Sequence, residues 1–257
     1  MRSRVEIHAE CDSQGRTQFT RLWSEGALGV RKTGESHVHL VGTAAGPIGA
    51  DSIQIIINVG AGARLSVEGV AATIALPGNT PGVGILEQRI TVDEAAQLHL
   101  ALPALIVTAD SDVHSRTEVL AAASAELVLI EQVSLGRHEE AGGRWTGRML
   151  ADVAGRPVLR QTQSSDSIHA ALARDRHDCF SGGAIVSRLA LGPLPCTVPL
   201  INTHGSAMVA MLESGGTLQT SVGATLARAH HDLCELDHLN SAELATGLGA
   251  QHPQLPK

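Results

Sequence analysis

Aromatic side chains are nearly missing: they make up 2% of the 257 residues, with no Tyr, two Phe (Phe19 and Phe180) and two Trp (Trp23 and Trp145). A carbohydrate-binding surface stacks sugar rings on aromatic faces, so the shortage argues against a module of that class. It also leaves Ala, Val, Leu and Ile to build the core, within a hydrophobic share of 43%. Basic runs are missing as well. At a formal net charge of −7, nothing supplies the phosphate-neutralising surface that nucleic acid requires, and nucleic acid is set aside as a partner. No stretch approaches the ~18 apolar residues of a membrane span, and Met1-Arg-Ser-Arg-Val-Glu-Ile-His8 has no apolar leader segment. No membrane partner is expected, and a soluble cytoplasmic protein is.

Cysteines are few, at positions 11, 179, 196 and 234, and form neither a CxxC pair nor a dense framework. That speaks against a zinc ribbon and a disulfide scaffold, and for a reducing compartment. The signature loops of common enzymes are absent too: no GxxxxGK[ST] phosphate loop, no GxGxxG turn, no GxSxG elbow and no HExxH helix. Gly46-Pro-Ile-Gly-Ala-Asp51 contains glycine, but Pro47 removes a backbone donor that a phosphate cradle would use.

What is present is a run of short apolar segments separated by turn residues, at spacings that suit sandwiches and β-solenoids. Strands are predicted at His37–Val41, Ser52–Val59, Arg64–Gly69, Gly84–Val92, Gln97–Leu102, Thr117–Leu120, Glu126–Val133, Trp145–Val153 and Pro157–Gln161. Residues 1–161 read as a strand-rich body within a single 1–257 domain. Further on, the polar segment Ser164–Asp178 suits a short helix, and Leu191-Gly-Pro-Leu-Pro-Cys196 reads as a rigid bend. Residues 223–239 carry Leu226, Ala229, Leu233 and Leu236 at helical spacing. The tail, 251–257, is expected to be loose.

Two carboxylates interrupt this pattern. Alternation puts Leu127, Leu129, Glu131 and Val133 on one strand face, and Asp51, Ile53, Ile55, Ile57 and Val59 on another. A buried carboxylate needs a partner or a proton. One reading is structural: Asp51 caps the Gly46 turn and Glu131 pairs with Arg137. The other is a polar lining that lets a hard or borderline cation pass.

The imidazoles offer two further sets. His37 and His39 share a strand face, as in metal-binding barrels, and a cupin-like metal-dependent enzyme is the alternative function they suggest. A cupin places a Glu four or five residues after the second His, where this chain has Thr43 and Ala44. On the predicted helix, His230, Cys234 and His238 lie at i, i+4 and i+8. Adjacent members can share an ion, but the outer two stand ~12 Å apart along the helix, too far for one ion to take all three. A polar face flanking the leucine stripe is the plainer account of them.

Taken in order, these segments resemble the urease accessory proteins called UreD, or UreH in some bacteria. The resemblance rests on Gly46-Pro-Ile-Gly-Ala-Asp51, similar to the family's GGxxGGD turn, then Gly62-Ala-Arg-Leu65, Ala71-Ala-Thr73, Leu98-His-Leu-Ala-Leu-Pro103 and Ile106. It continues through Ala125-Glu-Leu127, Glu131, Leu135-Gly-Arg137, Glu140 and Gly143. Pro47 and Ala50 thin the glycine cluster, and the family's arginine-rich ending is absent. The resemblance implies an all-β, β-helix-like stack of two sheets with one or two helices toward the C-terminus. It implies a non-enzymatic chaperone that joins apo-urease to the helical accessory protein UreF and the GTPase UreG while nickel is inserted. No cofactor would be tightly bound; Ni²⁺ would pass transiently, with Asp51 and Glu131 along its route.

Overall fold

Short apolar segments broken by turns reverse the chain often, and successive segments here fall alternately on two stacked sheets. The computed structural model describes residues 1–80, 82–172, 182–192, 199–202, 205–213 and 215–246, with side chains of the last helix described through Leu239. The order is β1 (Arg2–Cys11), β2 (Thr17–Glu25), β3 (Leu28–Lys32), β4 (His37–Gly42), β5 (Ser52–Val59), β6 (Arg64–Gly69), β7 (Thr73–Ala75), β8 (Gly84–Val92) and β9 (Gln97–Ala101). There follow β10 (Leu105–Val107), β11 (Asp112–Ala121), β12 (Glu126–Leu135), β13 (Arg144–Val153), β14 (Arg156–Ser164) and α1 (Ser165–Leu172). The chain continues through β15 (Gly183–Leu191), β16 (Leu200–Ile201), β17 (Ala207–Met211), β18 (Thr217–Gly223) and α2 (Leu226–Thr246).

One sheet has the order β14-β13-β11-β8-β5-β1-β2, and the other β16-β17-β18-β15-β12-β9-β6-β4-β3, with β10 and β7 attached beside β12. From β4 to β13 the chain winds from one sheet to the other and back, so each coil lays its strands parallel to those of the coil before. Hence β5, β8, β11 and β13 pair in parallel on one side, and β4, β6, β9 and β12 on the other. This is the solenoid-like stack that the sequence spacing and the resemblance both anticipate.

Parallel stacking in register turns alternation within a strand into ladders across strands. Ile7, Ile57, Ile90, Val119 and Ala151 form one inward ladder, every member buried. Val67, Leu100, Leu129 and Leu189 face them from the other sheet. Methyl-rich side chains fill this interior in place of aromatics.

Ser52–Val59, Arg64–Gly69 and Gly84–Val92 match their predicted ranges, while Thr117–Leu120 is part of a strand that begins at Asp112. Its first half, Asp-Val-His-Ser-Arg, carries little apolar character and so gave no signal. The helix predicted within Ser164–Asp178 is α1 over Ser165–Leu172, and α2 starts at Leu226 and extends past 239. Residues 173–178, most of the predicted bend at 191–196 and the tail at 251–257 lie outside the described residues. The strands β15 and β18 escaped prediction for a physical reason. Both of their faces are buried, so they show no alternation. Ala229, Leu233 and Leu236 of α2 cover Val186, Ala207 and Val209 on the outer side of that sheet. No helix among the described residues is long and apolar enough to cross a membrane.

Candidate functional site

The second sheet is interrupted. Residues Glu126–Ile130 of β12 pair with β9, and Val133–Leu135 pair with β10, so Glu131 and Gln132 stand opposite the break at Leu102–Ala104. The preceding coil breaks at the same level, between Gly69 at the end of β6 and Thr73 at the start of β7. Pro103 has no N–H to continue a ladder. Its ring also lies so close to Gly69 that a Cβ there would meet Pro103 Cδ at 2.3 Å, which only glycine avoids.

Beneath the break is a cavity of about 320 Å³, walled mainly by Ala, Leu and Ile, that takes in Gln88, Ser115, Glu131 and Gln132. Its polar floor comes from register. Val5, Ile55, Gln88, Thr117 and Met149 form the rung next to the all-apolar one, and at its centre two methyl-rich positions are replaced by Gln88 and Thr117. Glu131 faces them from β12, in a row with Ser187 and Thr220.

Thr117 Oγ1 donates to Glu131 Oε1, and Gln88 Nε2 donates to Thr117 Oγ1 at 3.1 Å and, at a long 3.5 Å, to Glu131 Oε1. Gln88 and Thr117 are 7% and 1% exposed, and among the described residues Gln88 Oε1 has no hydrogen-bond partner. Glu131 is half-buried and lines the cavity. Burial pushes its carboxyl up to about 7, with the Thr117 hydrogen bond opposing that rise. Near neutral pH this one group switches between a neutral acid and an anionic oxygen ligand.

The predicted Glu131–Arg137 pair does not form. Arg137 instead holds Glu140 through two guanidinium bonds, Nε to Oε2 at 2.8 Å and Nη2 to Oε1 at 2.9 Å, and a backbone N–H bond to Oε2 at 3.0 Å. The turn Leu135–Gly143 brings those two residues together at i, i+3, and strand geometry points Glu131 away into the interior. Asp51 does anchor the Gly46 turn. Its Oδ2 accepts the Ile48 N–H at 3.1 Å, and its Oδ1 accepts the Met1 amine. Burial raises the Asp51 pKa, but the Met1 ammonium and the Ile48 N–H outweigh that and hold it below the usual carboxylate value. Asp51 sits behind Gly46, itself a wall residue of the cavity.

The histidine sets separate. His39 contacts Thr33 Oγ1 through Nδ1 at 2.7 Å and Glu68 through Nε2 at 3.6 Å, on the outer face of β4, and His37 is exposed. The two-sheet stack has no barrel mouth to gather them, and the cupin-like alternative ends there. His230 Nε2 contacts Gln132 Oε1 at 2.7 Å, whereas Cys234 and His238 line a different, outward hollow with His231 and Glu235. Among the described residues no three His, Cys, Asp or Glu side chains converge on one point. Sequence reasoning missed Gln88 and Thr117. Gln88 was detectable, since it breaks an apolar alternation between Leu86 and Ile90. That it faces Glu131 was not.

The family model for the UreD urease accessory protein matches residues 1–234. Urease accessory protein UreD of Streptomyces coelicolor is 39% identical over 165 residues, covering 63% of this chain and 65% of the relative. The UreD of Streptomyces avermitilis is 36% identical over 165 residues, 63% of this chain and 66% of its own. The match thus spans just under two thirds of the length of these two relatives. Urease accessory protein UreD 1 of Saccharopolyspora erythraea is 31% identical over 255 residues, 96% of this chain and 98% of the relative. With a family model matched over residues 1–234 and a relative matched along nearly its whole length, the chain belongs to the UreD urease accessory protein family.

Proposed function

We propose that the protein is a urease maturation chaperone without turnover of its own, a scaffold that joins apo-urease to UreF and UreG and assists nickel insertion. Family membership supports the maturation role. The observation that carries the nickel part is the interrupted sheet with a single titrating carboxylate beneath it. Sparse oxygen ligands suit a passing cation, because a closed cage of His and Cys would bind Ni²⁺ too tightly to release it. Glu131 is the residue we place on the ion's route, with Gln88 Oε1 as a second oxygen beside it. Asp51, held by two donors, keeps the wall of the cavity in shape and borders the route at the Gly46 turn.

The test is co-expression of this chain with urease and its other accessory proteins, with the nickel content of purified urease as the readout. Urease is expected to be metal-poor without the chain and filled with it. Equal nickel occupancy in both cases overturns the maturation role. Glu131→Gln keeps the shape and removes the charge, so it is expected to lower nickel delivery while the fold, followed by circular dichroism, is unchanged. Full delivery by folded Glu131→Gln removes Glu131 from the route without touching the scaffold role.

A further inference from the structure

The outer face of α2 carries four donors that the fold does not use. His231, Cys234, Glu235 and His238, with Leu239, line one shallow surface hollow. Their neighbours on the same helix are committed elsewhere. His230 contacts Gln132, Asp232 accepts from Ser206 and pairs with Arg228, and Asp237 binds Arg188 and Gln219. Ala229, Leu233 and Leu236 clamp the opposite side of the helix to the sheet. His231, Cys234 and His238 are exposed, and among the described residues none of the four donors makes a hydrogen bond or ion pair.

Their spacing is i, i+3, i+4 and i+7, and side chains three or four apart are neighbours on a helix surface. Cys234 and His238 are the sulfur–nitrogen pair at i, i+4, separated by ~6 Å of rise, which two flexible side chains bridge around one ion. Glu235 stands beside Cys234, and His231 lies one turn below. No three of these groups converge before an ion arrives. All four sit on an anchored backbone with room to turn, so convergence costs rotamer changes and no refolding.

We propose that this face binds a borderline divalent transition-metal cation, of the Ni²⁺, Co²⁺ and Zn²⁺ class, through the Cys234 thiolate and the His238 imidazole. Glu235 supplies a carboxylate oxygen and His231 supports the site from the turn below. Sulfur and imidazole donors select such ions over Mg²⁺ and Ca²⁺. Binding displaces the Cys234 thiol proton to solvent, so one proton is released per thiolate bond formed. The inference stands on the donor set alone and does not rest on the urease reading.

The experiment is a Co²⁺ titration of the full, untagged, reduced chain, followed by absorbance in the near ultraviolet, with Ni²⁺, Zn²⁺ and Mg²⁺ as competitors. A thiolate-to-metal charge-transfer band is expected, lost in Cys234→Ser, displaced by Ni²⁺ and Zn²⁺, and indifferent to Mg²⁺. His238→Ala is expected to raise the half-saturating concentration roughly tenfold or more, and His231→Ala to raise it less. His230→Ala, whose imidazole is already engaged by Gln132 Oε1, leaves the titration unchanged. These residues are exposed, and circular dichroism verifies that each variant is folded. Absence of the band, its persistence in Cys234→Ser, or an unshifted titration in His238→Ala overturns the proposal, whatever the outcome for urease activation.

Discussion

Two neighbouring rungs of the same ladder behave as different materials. In one, Ile7, Ile57, Ile90, Val119 and Ala151 meet the opposite sheet as a closed apolar layer. Two residues along each strand, Gln88 and Thr117 meet Glu131 and a cavity remains. In the sheet that carries these rungs the backbone is the same at both, since its strands and their register continue through. The difference is set by side chains and by one break in the facing sheet. Where methyl groups fill the space, the rung stabilises the fold; where polar groups and Pro103 stand, it forgoes packing and keeps a protonatable group reachable.

The largest expected effect lies in the apolar rung. Ile57 is fully buried, so Ile57→Ala is expected to cost about 2–5 kcal/mol, read from the urea midpoint. A loss no greater than that of an exposed substitution breaks the contrast between the rungs.

The polar rung should reveal itself through pH. Glu131 keeps its proton to about pH 7 in the folded chain, against an ordinary value of 4.5. Between those values the unfolded chain has already lost that proton, so stability falls as pH rises toward 7, by up to about 3 kcal/mol at and above it. Glu131→Gln removes this contribution. Urea midpoints from pH 5 to 8 are expected to decline more steeply for the parent than for the variant, and parallel profiles would mean that Glu131 is not held in a desolvated site.

The smallest effect sharpens the assignment of partners. Arg137 is exposed and bound to Glu140, so Arg137→Ala is expected to change stability by less than about 1 kcal/mol. It should also leave the pH profile of Glu131 where it was. A shifted profile would restore Arg137 as the partner of Glu131.

Much of the strand plan was legible because parallel coils with one buried face keep an apolar residue at every second position, as in Ser-Ile-Gln-Ile-Ile-Ile-Asn-Val59. The inward register of both carboxylates followed from the same rule. Alternation fails where both faces are covered, and β15, with the run Ala184–Ser187 buried throughout, is the example. It also says nothing about partners. Arg137 was near Glu131 in sequence but turned to Glu140, while Thr117, which is fourteen residues away, reached it. The helix donors show the same limit: spacing suggested His230, Cys234 and His238, and docking on the sheet gave His230 to Gln132 and left His231 beside Cys234.

By itself, then, the sequence determined the all-β class, the coil spacing, the apolar faces and the family, because period and turn chemistry act over a few residues and survive without knowledge of the fold. Only the tertiary structure decided what Glu131 faces, that two coils break at one level to open a cavity above it, and which side of α2 meets solvent. Those outcomes depend on the stacking of strands that are tens of residues apart, and the register of that stacking is fixed by the packing of the whole interior.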